Sequence, residues 1–264
     1  MLRLFIAGVF AVFIAFPVQA AGNHDDQGRG DQGSWPELRA ELFDKREISD
    51  ARGIVTLTTP YRSSDDRRVP IRADVVLPDG EEIKRLILMI DENPVPVSAE
   101  FNMEQSIEVF SADITMRING PSMVRAIVET SEGRLLMDAA KVKTSGTGAC
   151  AAPPITGVEE ALVTLGNMDL YSGKPNQPRL SISHPQHSGM QMDQISLLFI
   201  LAHYVDEVES WTDDAPLFKM TGSISLSENP DISFSVPDGV SELRVRMTDT
   251  DELVFEKRFP LNGA

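Results

Sequence analysis

Hydrophobic positions recur at helical spacing near the start of the folded part of the chain, where Trp35, Leu38, Leu42 and Phe43 share a face. Ser34 stands where a cap belongs and Pro36 suits a first helical turn, so one short helix is predicted there. After it the period changes to two. Val69, Ile71, Ala73 and Val75 share one face of a segment, and Phe110, Ala112, Ile114, Met116 and Ile118 share a face of another, with polar residues mostly between them. In the second half Leu180 with Ile182, Ile224 with Leu226, Ile232 with Phe234, and Leu243, Val245 and Met247 alternate with polar residues in the same way. Ile195 to Ala202 is apolar almost without a break, which predicts a central strand covered on both faces.

Turn signals punctuate these segments at Pro78-Asp79-Gly80, Asp91-Glu92-Asn93-Pro94, Asn119-Gly120-Pro121, Glu132-Gly133 and Pro237-Asp238-Gly239. That rhythm of short strands is the rhythm of a sandwich. The chain has 264 residues, 42% of them hydrophobic, enough to fill a core in each of two halves. The predicted fold class is therefore all-β, with two antiparallel β-sandwiches in tandem and one short N-terminal helix. The break falls in Thr144-Ser145-Gly146-Thr147-Gly148-Ala149-Cys150-Ala151-Ala152-Pro153-Pro154, a stretch of small residues and prolines.

The N-terminus changes the picture of compartment. Arg3, the apolar run from Leu4 to Phe16 and Val18-Gln19-Ala20 have the three parts of an export signal, and the run is shorter than the roughly 20 residues of a membrane span. Residues 1–20 read as a signal peptide cleaved near Ala20 or Ala21, and the expected location is periplasmic. Residues 21–34 are too polar and glycine-rich to pack and read as a disordered leader. Within it Gly28, Gly30 and Gly33 fit a dinucleotide-binding spacing without the strand that must precede it, and Arg29-Gly30-Asp31 is a three-residue coincidence. The formal charge of −16 becomes −17 once Arg3 is removed with the signal. Such a balance argues against nucleic acid and against an anionic membrane, and leaves a basic protein as a suitable partner.

Cys150 is the sole cysteine, so no internal disulfide competes for its thiol. Its neighbours, Gly, Ser, Thr, Ala and Pro, predict an exposed thiol on a loop held at both ends, reaching about 10 Å from the body. At an ordinary pKa about 3% of it is thiolate at pH 7. His184, His187, Met190, Met192 and His203 also invite a copper-site reading, but their spacing is not diagnostic and no metal ligand is assigned. Asp213-Asp214 and Asp249 with Asp251 read as solvated hairpin tips. No nucleophile with a base and an orienting group is visible, so neither enzymatic activity, catalytic residues nor a cofactor is predicted.

Several of these residues carry a resemblance. Trp35, Leu38, Leu42-Phe43, Asp91-Glu92-Asn93-Pro94, Lys141-Val142-Lys143 and Cys150 make the first half resemble SoxY of the bacterial sulfur-oxidation carrier. Ile182-Ser183-His184-Pro185, Ser188-Gly189 and Ile224-Ser225-Leu226-Ser227-Glu228-Asn229-Pro230 make the second half resemble SoxZ. The whole resembles the fused SoxYZ-like carriers associated with quinoprotein dehydrogenases. That resemblance implies immunoglobulin-like sandwiches, SoxY-like over 35–143 and SoxZ-like over 159–264, with a linker at 144–158. It implies a carrier thiol at Cys150 that holds a sulfur or other thiol-linked intermediate covalently. The implied partners are periplasmic redox proteins: a quinoprotein dehydrogenase, c-type cytochromes or Sox-type enzymes. The Gly148-Ala149 and Ala151-Ala152 flanks depart from the family's paired glycines, and Pro153-Pro154 continues the arm into the next half, which implies reduced mobility. Two other readings are an assembly module for a quinoprotein dehydrogenase or its cytochrome, with the thiol incidental, and a copper chaperone.

Overall fold

The computed structural model describes residues 33–261 apart from residue 175. The expected signal peptide and all of the expected leader except Gly33 and Ser34 lie outside the described residues. In chain order the elements are α1 (Trp35–Phe43), β1 (Ile48–Asp50), β2 (Val55–Thr58), β3 (Val69–Val76), β4 (Ile83–Ile90), β5 (Val97–Met103), β6 (Val109–Met116), β7 (Ser122–Thr130) and β8 (Leu135–Val142). The second half continues with α2 (Val158–Val163), β9 (Met168–Lys174), β10 (Gln177–Ile182), β11 (Val205–Thr212), β12 (Ala215–Gly222), β13 (Asp231–Phe234), β14 (Glu242–Asp249) and β15 (Val254–Pro260).

The all-β expectation holds, with the short helix at its predicted place. Trp35 and Phe43 bury one face of α1 against Ile87, Met89, Ile127 and Leu135, on the outer face of the sheet. Ser34 takes the cap position, but its hydroxyl donates to Glu92 Oε2 at 3.0 Å instead of capping the helix. The Arg125 guanidinium lies 3.9 Å from the Trp35 ring and grips Asp91 with hydrogen bonds of 2.7 to 3.0 Å, so the helix is seated over a buried ion pair. The short helix α2 was not legible from periodicity, and β1 pairs in parallel with β8, an exception to the antiparallel pattern.

The two halves are joined by more than the cysteine segment. One nine-stranded sheet runs β1-β8-β7-β4-β5-β12-β11-β14-β15, and one six-stranded sheet runs β2-β3-β6-β13-β10-β9. Each sheet crosses from one half to the other by an antiparallel pair, β5 with β12 and β6 with β13. The inner faces share a single hydrophobic core that includes Ile71, Phe101 and Phe110 from the first half and Phe218, Phe234 and Val245 from the second. At the junction Phe218 stands edge-on to Phe101, Phe110 and Phe234, with ring centroids 4.9 to 5.9 Å apart, the preferred geometry for aromatic pairs.

Two predicted strands are corrected. Ile224 and Leu226 lie in a turn, where Ser223, Ser225 and Ser227 are buried and hydrogen-bonded, so the alternation there reflects polar anchoring. Ile195–Ala202 is not a covered strand. It forms the end of an irregular hairpin closed at its base by reciprocal backbone bonds between His187 and His203, of 2.7 and 2.9 Å. Asp193 breaks the run by accepting from the amides of Ile195 and Ser196, and Leu197 turns back with φ of +59°, unusual for a branched side chain.

Candidate functional site

Cys150 sits at the junction of the halves, in a turn after β8. The segment leaving β8 is fixed first by Asp66, whose carboxylate accepts from the amides of Ser145 and Gly146 and from the Ser145 hydroxyl. Gly148 then adopts φ of +88°, which lets the chain double back, and Ala151 N donates to Gly148 O at 2.9 Å. Asn119 holds this turn from below: its backbone carbonyl accepts from Gly148 N at 2.7 Å, and its side-chain oxygen accepts from Cys150 N at 3.2 Å. Asn119 is itself held by Asn93, which accepts its amide at 2.8 Å and donates to Arg117 O and Ser225 Oγ at 2.9 Å each.

The second half closes the turn from the other side. The Ser188 hydroxyl donates to Cys150 O, and Gln191 Nε2 donates to Ala152 O at 3.0 Å. Glu228 takes the exit, accepting from the amides of Ile155 and Thr156 at 2.8 Å. The expectation of an exposed, protruding thiol is therefore corrected: Cys150 is 0% exposed, and its loop is folded onto the body. Composition pointed outward, but the loop's backbone groups find partners on both halves, and these partners hold it in.

Arg117 is the charge nearest in effect to the thiol. It is buried, and its Nη1 donates to the carbonyls of Gln186, Ile224 and Leu226, tying two second-half segments to the end of β6. Burial pushes the Cys150 thiol above its ordinary pKa, and Arg117 draws it partly back. A small, shallow cleft opens beside the turn, lined by Arg67, Arg117, Ala149, Ala152, Gln191 and Glu228. In the closed loop Cys150 is a neutral, sequestered thiol beside a charged cleft.

Of the histidines behind the copper reading, His184 and His203 bring their ring nitrogens together, and the fold adds Asp249. Asp249 Oδ2 lies 2.9 Å from His203 Nε2 and 3.4 Å from His184 Nε2. All three ligand atoms lie within 4.8 Å of one another. The tautomer decides against a metal. His184 Nδ1 accepts the Gln186 amide at 3.1 Å, so the proton of the neutral ring is on Nε2, aimed at Asp249, whereas a metal-bound histidine donates from its other nitrogen. Burial, with His203 nearby, lowers the His184 pKa to about 4, which keeps the ring neutral. Although burial opposes it, hydrogen bonds from His203, Leu253 and His184 hold Asp249 below the usual carboxylate range. Asp249 is thus buried and bonded, not a solvated hairpin tip, while Asp251 beside it is exposed.

Arg117, Asn119, Gln191 and Glu228 were not singled out as site residues by sequence reasoning. The signal lay in the motifs themselves: Asn93, Ser188, Ser225 and Glu228 all belong to stretches that mark the resemblance, and all converge on the Cys150 turn or its supports.

A tandem β-sandwich with one cysteine clamped between its halves defines the class. The family models then place each half: Sulfur oxidation protein SoxY matches residues 39–150, and Sulphur oxidation protein SoxZ matches residues 169–260. The chain is a SoxYZ-like fusion from a sulfur-oxidation carrier family, and Cys150 is the last residue of the SoxY match. A search of curated protein sequences gave no match. Among solved structures, the sulfur carrier protein SoxY from Chlorobium limicola f thiosulfatophilum aligns at 16% identity and a TM-score of 0.34, covering 40% of this chain and 88% of that one. A superoxide reductase (neelaredoxin) from Ignicoccus hospitalis aligns at 13% identity and a TM-score of 0.29, covering 34% of this chain and 80% of that one. Likenesses this distant carry no functional argument.

Proposed function

We propose that this chain is a periplasmic, non-catalytic carrier that holds a sulfur or other thiol-linked intermediate on Cys150 and presents it to partner enzymes. The observation that carries this reading is the place of the sole cysteine, at the end of the SoxY match and in a turn gripped by both halves. Loading follows thiol–disulfide chemistry. The Cys150 thiolate attacks the outer sulfur of a disulfide or persulfide donor, a new S–S bond forms as the donor's breaks, and the donor leaves as a thiolate, with no external oxidant consumed.

Because the closed thiol is buried and its pKa is raised, loading and unloading require the turn to open. Opening breaks the bonds from Asn119, Ser188 and Gln191, while Asp66 and Glu228 retain the two ends. The carrier thus exposes its thiol by a short hinged excursion rather than on a free arm. Its partners are Sox-type enzymes or the redox proteins of a quinoprotein dehydrogenase system, including c-type cytochromes. The complete burial of Cys150 favours a second reading, an assembly module in which the thiol is incidental. Replacing Cys150→Ser in the producing cells separates the two: the carrier reading predicts loss of sulfur-compound oxidation with the fold intact, and retained oxidation would support the module.

A further inference from the structure

The hairpin between His187 and His203 ends in Ile195, Leu197, Leu198, Phe199 and Leu201, each at least 67% exposed and Ile195 as much as 93%. Five large apolar side chains stand exposed within seven residues of one hairpin, and clustered exposed apolar side chains mark interaction sites. The same hairpin carries, at its base, two of the clamps on the cysteine turn, Ser188 and Gln191. The hairpin's own charge is acidic. No lysine or arginine lies between Arg179 and Lys219, Asp193 lies on the hairpin and Asp206 just after it, and the exposed Asp251 stands 3.6 Å from His203, while Glu207 and Glu209 further along are paired with Lys219 and Arg246.

We propose that this hairpin is the docking finger for the protein that works on Cys150, and that its occupant is an apolar groove rimmed by basic residues. The inference rests on the carrier reading. Continuity with the clamps places whatever grips the tip beside the thiol, and movement of the hairpin pulls on the bonds that keep the turn closed. A second copy of the chain is a poor occupant, because it would bring the same acidic surround and another formal charge of −16 against the first.

The test uses the full chain produced in its own cells, with the photo-crosslinking residue p-benzoylphenylalanine placed at position 199 or, separately, at the exposed position 151. The proposal predicts that one basic protein is captured from both positions. Once purified, that protein should bind the mature chain with a Kd that rises as salt is added and that rises tenfold or more in the Leu198→Ser, Phe199→Ser double variant. Capture at position 199 of only a second copy, of the chain's own N-terminal segment, of lipid, of a protein not reached from position 151, or of nothing overturns it. So does a Kd unmoved by the double variant. Repeating the binding with Cys150→Ser keeps the two ideas apart: an unchanged Kd leaves the docking finger standing even where Cys150 carries nothing, and loss of the finger's effect leaves the thiol's role untouched.

Discussion

Two segments of the second-half junction exchange the roles their compositions suggest. The stretch around Cys150 is small, polar and glycine-containing, and it lies clamped with its thiol buried. The stretch Ile195–Leu201 is the apolar run of a core strand, and it projects into solvent. What separates them is the availability of partners for the backbone. The cysteine turn meets Asn119, Ser188 and Gln191 at hydrogen-bonding distance, so folding it down leaves its polar groups satisfied. The apolar run closes on itself around Asp193, with its backbone bonds internal to the hairpin, and no neighbouring strand among the described residues receives it.

The contrast can be broken most severely at Arg117. Arg117→Met removes the donor that pairs with three buried carbonyls and should cost at least about 3 kcal/mol in urea unfolding, since each unpaired buried group costs about 1 to 3 kcal/mol. A loss under about 1 kcal/mol would mean that those carbonyls find other partners. The buried trio behind the finger comes next. The folded-state pKa of His184 is depressed to about 4 from 6.5, so its neutral form supports the fold fully above pH 6.5, and that support is lost as pH falls from 6.5 to 4. The loss should approach about 3 kcal/mol, with Asp249 adding a further loss at still lower pH, where its depressed carboxyl is protonated. In His184→Gln that component should disappear, leaving a shallower fall to which His187, whose pKa burial also lowers, still contributes.

Smaller effects should follow at the clamps. Ser188→Ala together with Gln191→Ala removes two bonds from the cysteine turn, and the net loss of about 0.5 to 1.5 kcal/mol each should accelerate alkylation of Cys150 by iodoacetamide at least about fivefold. An unchanged rate would show that the turn does not open there. The smallest effect belongs to the finger itself. Leu198→Ser and Phe199→Ser should alter stability by no more than about 0.5 kcal/mol, because both side chains stand largely in solvent. A large destabilisation would show that the tip is part of the core.

The same contrast marks where the sequence was readable. Val69 to Val75, Phe110 to Met116 and Leu243 to Met247 bury the faces their period-two pattern indicates, because one side of each strand meets the core. The run at Ile195 departs from its pattern because a run of apolar residues does not specify whether a sheet is there to take it, although Asp193 and Ser196 carried the signal of a turn. The burial of Cys150 was invisible for a different reason. It depends on Asn119, 31 residues away in the same half, and on Ser188 and Gln191 of the second half, contacts that exist only once the chain has folded and the halves have joined. The place of the thiol between the halves was legible, and its closed state was not.

The intact mass of the native mature protein, taken with and without reductant from cells oxidising a sulfur compound, tests the central claim most directly. The carrier account predicts a species heavier than the chain, returned to the unmodified mass by reductant and missing from the Cys150→Ser variant. A chain that is always unmodified under those conditions would contradict it.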